Sequence, residues 1–310
     1  MKAGSNLERI LSEGKFAVTA ELGPPKSADA EVIGKKAGIL KGKVDAVNIT
    51  DNQTAIVRMS SIGAAKLTLD KGIEPIMQMV CRDRNRIAMQ SDILGAYALG
   101  IKNMLCLTGD HQKFGNHPTS KNVFDLDSLQ LLQMVRNMRD NKVFQCGEEI
   151  RNSKKAPVVE PKMFLGAAEN PFAHPYEFRA IRLAKKVKAG ADFIQTQCIF
   201  DVPRFKEWMK EVVDMGVHEK VFILAGVMPI KSPKVLEYMK NNVAGMSIPD
   251  ALVQRMKGAS DPKEEGVNFV VELINEVKRI EGIRGVHIMA VEWEEVVPTI
   301  VERAGLLPRP

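Results

Sequence analysis

The strongest constraint on this chain is an alternation. Eight short β-like runs, at 16–22, 44–50, 74–80, 103–109, 162–168, 192–197, 221–227 and 286–292, are separated by amphipathic helical stretches. Helix is expected from about Ser27 or Asp29 to Leu40, then over 55–70, 84–99, 125–139, 175–189, 202–215, 232–241, 249–257 and 263–281, with a last helix ending near Ala304. Several of the runs, such as VFILAGV at 221–227, are almost continuously apolar. A strand reads this way when both of its faces are covered, as in a parallel sheet. Eight βα units in 310 residues fit a (β/α)8 TIM barrel better than an open doubly wound sheet. The first run ends in Glu-Leu-Gly-Pro-Pro, where a dinucleotide-binding open sheet would carry a G-x-G-x-x-G turn. The expectation is a single TIM-barrel domain over residues 1–310, with an extended polar segment at 140–160 as a surface excursion.

Composition narrows the classes. No apolar run approaches the ~18 residues of a membrane helix, so no membrane partner is expected. The N-terminus, MKAGSNLERILSEGKF, is charged and amphipathic rather than signal-like, which points to the cytoplasm. Cys81, Cys106, Cys146 and Cys198 are far apart in sequence, so a metal or iron–sulfur site within this chain is not expected. The net charge is +6, but the basic residues are dispersed and aromatic residues are only 5%. Base-stacking surfaces need more, so nucleic acid is disfavoured as a partner, and an anionic small ligand suits the charge.

In a barrel of this kind the active site sits at the C-terminal ends of the strands. The polar residues at those ends are Glu21, Thr50, Asp51, Asn52, Gln78, Asp110, Glu169, Asn170, Gln195, Gln197 and Glu292. A carboxyl such as Glu21, in apolar surroundings, has its pKa raised and suits a general acid; the alternative is a capping or salt-bridged glutamate. Asp110 opens a long polar loop after Leu-Thr-Gly, an arrangement common at ligand sites and equally at Asx turns. His111 and His117 in that loop lack partners at metal spacing and read as surface residues. Gln195 and Gln197 share one face of a strand, either the lumen or the helix side. His174-Pro175 stands at a helix start, which is loop chemistry or an anion site.

Read together, these segments resemble the methylenetetrahydrofolate reductase family. Glu21-Leu22-Gly23-Pro24-Pro25-Lys26 resembles its first-strand E-x-x-P-P-[RK] motif. Val47-Asn48-Ile49-Thr50 is similar to the second-strand end, and Cys81-Arg82-Asp83-Arg84-Asn85 to T-C-R-D-x-N. Thr108-Gly109-Asp110 matches [RT]-G-D, and 168–175 resembles A-x-Y-P-E-x-H-P. The stretch 186–201, with Lys186, Gln197 and Asp201, resembles K-x-x-A-G-A-x-x-x-x-[TS]-Q-x-x-[FY]-D, and 226–229 matches G-[IV]-[LM]-P. Gln78 stands where the family often has His, and Asn170-Pro171-Phe172 where it often has Tyr-Pro-Glu. The resemblance implies flavin-dependent reduction of 5,10-methylenetetrahydrofolate to 5-methyltetrahydrofolate. It implies Glu21 as general acid, Asp110 beside the flavin and the pterin, and Gln197 on the folate. Thr50, Gln78, Gly109, Asn170, His174 and Lys186 would hold the flavin, FAD or alternatively FMN. Electrons would come from NADH or NADPH, or from an iron–sulfur partner subunit, and an oligomer is implied. The competing readings are a flavin-free pterin-binding methyltransferase barrel and a non-catalytic barrel subunit.

Overall fold

A computed structural model describes residues 1–152 and 156–310. Its strands are β1 (Ala17–Leu22), β2 (Ala46–Ile49), β3 (Pro75–Val80), β4 (Asn103–Leu107), β5 (Phe164–Glu169), β6 (Phe193–Cys198), β7 (Phe222–Val227) and β8 (Ile283–Ile288). All pair in parallel and in chain order, and β8 closes onto β1 through Val18 opposite Val286. The helices are α1 (Asn6–Ser12), α2 (Ala30–Leu40), α3 (Ser61–Asp70), α4 (Arg86–Ala98), α5 (Ser128–Arg136) and α6 (Arg179–Ala189). They continue with α7 (Val202–Asp214), α8 (Pro233–Asn242), α9 (Asp250–Gly258), α10 (Pro262–Val277) and α11 (Val297–Arg303). The expected TIM barrel is therefore present.

Helix starts follow the local chemistry. The Asp29 carboxylate accepts from the Glu31 amide at 2.9 Å, and Asn85 accepts from the Ile87 and Ala88 amides. Asp127 and Gln130 form a reciprocal capping box at α5. Each such cap satisfies amide donors that the first helical turn leaves free.

Among the boundaries that differ from expectation, three change the reading. Strand β8 begins three residues early and ends at Ile288, so Glu292 is not a strand-end residue; it lies in the following turn, at φ +50°. The helix expected from 55 starts at Ser61, because Asn52, Thr54 and Ala55 adopt left-handed backbone and Ser60 supplies the cap. The helix expected over 125–139 leaves the α geometry after Arg136 in one wide turn, Asn137–Asn141.

The lumen is filled in layers. At the bottom lie Ala17, Ala46, Ile76, Leu105, Phe164, Phe193 and Leu224, packed with Leu7, Ile10 and Leu11 of α1. This N-terminal helix closes the barrel floor, a role its short amphipathic sequence does not announce. Phe164 and Phe193 stack with ring centroids 5.2 Å apart. Gly166 is required beside them: a Cβ there would stand 2.2 Å from Cζ of Phe193. The 140–160 segment is pinned by a Val143–Glu149 bridge, by Phe144 packed against the core and by buried Ile150. Residues 153–155 of that segment lie outside the described residues.

Candidate active site

Above the apolar floor comes a polar layer. The Asn48 amide donates to Gln195 Oε1 at 2.6 Å, and Gln195 Nε2 donates back to Asn48 Oδ1 at 3.0 Å and to Thr19 Oγ1 at 3.2 Å. Thr19 Oγ1 lies 3.0 Å from Nδ1 of His287. All four residues are buried. Burial drives the His287 ring down to a pKa of about 3, so it is neutral at physiological pH. The shared face of Gln195 and Gln197, which the sequence leaves open, is the lumen.

This layer is the floor of a cavity of about 380 Å³ at the C-terminal ends of the strands. Glu21, Gln78, Gln197 and Met289 line it, with Leu105 and Leu107 as an apolar wall. On its β5–α6 side stand Glu169, Asn170, Arg179, Arg182 and Lys186. A larger cavity, about 630 Å³, opens at the opposite end of the barrel. There Arg139 is committed to Asp192 and Asp140, and Arg136 donates to the Lys188 carbonyl at a helix end. The strand-end cavity combines a hydrogen-bonded polar floor, an apolar wall and a carboxyl at the C-terminal ends of the strands, which makes it the candidate site.

Glu21 is the penultimate residue of β1 and half-buried, and its Oε1 accepts from Gln53 Nε2 at 3.4 Å. Its carboxyl is raised to about 7, first by desolvation and then by the nearby Glu294 carboxylate. Gln53, Lys36 and Arg58 oppose that rise without cancelling it. The group is therefore protonated in a substantial fraction of molecules at neutral pH.

Lys186 is buried on α6, and its ammonium lies 2.7 Å from Glu169 Oε2 and also contacts the Ala168 carbonyl. Desolvation lowers its pKa, and the Glu169 carboxylate works against that. Asn170 donates to the Gly245 carbonyl at 3.1 Å and accepts from the Phe172 amide at 2.9 Å, tying the β5 loop to the α8–α9 connection.

The remaining expected residues sit beyond the lining of this cavity. Thr50 is buried just past β2, and its hydroxyl has no partner among the described residues. Asp51 beside it accepts from the Val80 amide and pairs with Arg84 at 2.7 Å, a structural brace. Gly109 has φ +89°, and a Cβ there would meet Val80 Cβ at 3.0 Å. Asp110 is exposed, and its carbonyl accepts from Arg82 at 3.0 Å. His174 is exposed against Tyr176, with ring centroids 3.9 Å apart. His111 and His117 are exposed.

Sequence reasoning missed Thr19, Asn48, His287, Arg179 and Arg182. The first three were legible in principle, as polar residues at alternate positions of runs otherwise apolar. Arg179 and Arg182 share one face of α6 at i, i+3 spacing, a common pattern that carries little signal on its own.

The family model for methylenetetrahydrofolate reductase matches residues 6–305. The chain belongs to the methylenetetrahydrofolate reductase family. The 5,10-methylenetetrahydrofolate reductase of Escherichia coli is 22% identical over 97% of this chain and 96% of its own length. The Pectobacterium carotovorum reductase is likewise 22% identical, over 97% and 95%. Methylenetetrahydrofolate reductase 1 of Schizosaccharomyces pombe is 25% identical over 77% of this chain but only 37% of its own length. The chain thus spans little more than a third of that eukaryotic relative and nearly all of the bacterial ones. Among solved structures, an uncharacterised Clostridium thermocellum protein that binds two copies of 5-methyltetrahydrofolate has the same fold, with a TM-score of 0.65 and 16% identity over 97% of this chain and 98% of that one. Family members named for reductase activity are oxidoreductases. In this chain Glu21, Gln78 and Gln197 line one cavity.

Proposed function

We propose that the protein reduces 5,10-methylenetetrahydrofolate to 5-methyltetrahydrofolate at the strand-end cavity. The observation that carries this reading is the Glu21 carboxyl, held near pKa 7 on the wall of a cavity that also presents Gln197 and Gln78. An acid so tuned donates a proton to the folate nitrogen that leaves as the methylene bridge opens to an iminium. Gln197 carries both a donor and an acceptor, and it orients the folate beside that acid. Asp110, exposed at the start of the β4 loop, is assigned to the pterin and the flavin edge.

A flavin fits the groups available. The Thr50 hydroxyl is buried with no partner among the described residues, Leu105 and Leu107 offer an apolar wall to a flat ring, and Arg179, Arg182 and Lys186 suit a phosphate-bearing cofactor. Thr50, Gln78, Gly109, Asn170, His174 and Lys186 are the residues we assign to holding it, as FAD or, with a shorter tail, FMN. When bound, the flavin supplies a hydride from N5 to the folate methylene carbon. The electron donor is NADH, NADPH or an iron–sulfur partner subunit.

The test is the visible spectrum of the purified protein, repeated anaerobically with 5-methyltetrahydrofolate, NADH and NADPH. A yellow protein bleached by the folate supports the reductase, and the nucleotide that also bleaches it is the donor. Bleaching by the folate and by neither nucleotide points to a partner subunit. A colourless protein that takes up neither FAD nor FMN removes the flavoenzyme reading in favour of a pterin methyltransferase.

A further inference from the structure

Glu21 borders two spaces. One is the site cavity. The other is a separate pocket of about 40 Å³ behind it, lined by Gly23, Lys36, Gln53, Arg58, Ala290, Glu292 and Glu294 as well as Glu21 itself. That volume has room for about two or three waters, and polar groups surround it. Glu294 is buried there, its carboxylate 2.5 Å from Lys36 Nζ, and Lys36 also donates to the Gly23 carbonyl at 3.3 Å. The Arg58 guanidinium donates to the Pro24 carbonyl at 3.1 Å, while its Nε is buried without a partner among the described residues. Glu292 at the rim of this pocket is exposed.

We propose that this pocket is the proton-supply route to Glu21, running through water from the Glu292 rim past the Lys36–Glu294 pair. The inference rests on the reductase reading. In that reaction the folate nitrogen takes the proton from Glu21, and the methylene carbon takes a hydride. Each turnover therefore leaves Glu21 as a carboxylate and consumes one proton from solvent. While folate occupies the site cavity, the pocket on the other face of Glu21 is the side from which solvent can return that proton. Glu294 acts through Glu21 and is a positioning residue. The charged groups facing Glu21 are Lys36 from α2, Arg58 from the segment before α3 and Glu294 from the turn before α11. The two cations favour the carboxylate form and Glu294 opposes it.

Two variants test the route. Gly23→Val fills the pocket from a position where an added Cβ meets no atom within 4 Å. Glu294→Gln removes the carboxylate that pairs with Lys36 and faces Glu21. The readouts are the pH profile of folate reduction, its solvent deuterium isotope effect, and the infrared carbonyl band of protonated Glu21, assigned by its loss in E21Q. We expect Gly23→Val to slow turnover about tenfold on the alkaline side and to enlarge the isotope effect, with folate affinity unchanged. We expect Glu294→Gln to move the infrared midpoint of Glu21 to lower pH. A Gly23→Val protein with the wild-type pH profile and isotope effect overturns the route, and an unmoved midpoint overturns the role of Glu294. Wild-type protein that turns over no folate removes the reductase reading instead, and the infrared midpoint still reports whether Glu294 acts on Glu21.

Discussion

Asn48 and Gln195 exchange two hydrogen bonds across the barrel lumen, 2.6 and 3.0 Å long. The pair sits on opposite strands of a closed sheet, just above a floor of aromatic and aliphatic side chains. It seals the polar cavity from the apolar base. Replacing one member by Leu strands the other amide in a buried setting, at a cost of about 1–3 kcal/mol. Replacing both removes the unmet demand, so the double variant is expected to lose less than the sum of the two single losses. Urea denaturation of the three variants measures this coupling, and additive losses would contradict it.

Glu21→Gln is expected to lower folate reduction by about a hundredfold or more, because an amide cannot deliver the proton. Reduction of bound flavin by its donor does not use that proton and should persist. In the wild type the acid form is the active one. With the carboxyl at about 7, activity is full below that pH and falls as pH rises through it. Steady-state rates from pH 5 to 9 test the sign. A rate that climbs across neutrality would assign Glu21 to a base.

Lys186 and Glu169 are both buried and meet at 2.7 Å. Changing Lys186 to Met leaves the Glu169 carboxylate uncompensated, which costs about 3–5 kcal/mol in such pairs. K186M should therefore unfold at markedly lower denaturant, and K186M/E169Q should recover much of the loss. The same comparison separates a structural ion pair from a cofactor contact. If K186M/E169Q refolds but fails to bind flavin, Lys186 serves the ligand as well as the fold.

The barrel was legible because several buried strands read as apolar runs and several helix starts carry their own cap, as at Asp29, Asn85 and Asp127. The β8 boundary was misjudged because 286–292 continues the apolar pattern after the backbone has left the sheet at Ile288. Of the site, Glu21, Gln78, Asn170, Lys186 and Gln197 were legible as strand-end or motif residues, and they do share one cavity. Asn48 and His287 were not singled out, since one polar residue inside an apolar run does not say which face of the strand it takes. The distinction between lining and rim, which separates Gln78 from Asp110, depends on loop geometry that no local pattern encodes.

His287 gives the fold a pH dependence of defined sign. Its ring is fully buried, with Nδ1 on Thr19, and desolvation holds it neutral down to about pH 3, whereas in the unfolded chain it titrates near the ordinary imidazole value of 6.5. Below about 6.5 the unfolded state therefore binds a proton that the native state refuses, and stability falls as pH decreases. The slope approaches about 1.4 kcal/mol per pH unit between those two values and vanishes above them. Substituting His287 by Gln, which is polar but does not titrate, should remove this component while leaving the carboxylate contributions in place. Denaturation midpoints of wild type and His287→Gln from pH 4.5 to 8 measure the difference. The two stability curves should run parallel above pH 7 and converge as pH falls. Curves that stay parallel to pH 4.5 would mean that the ring accepts its proton inside the fold, with a charged imidazolium as part of the polar layer beneath the site.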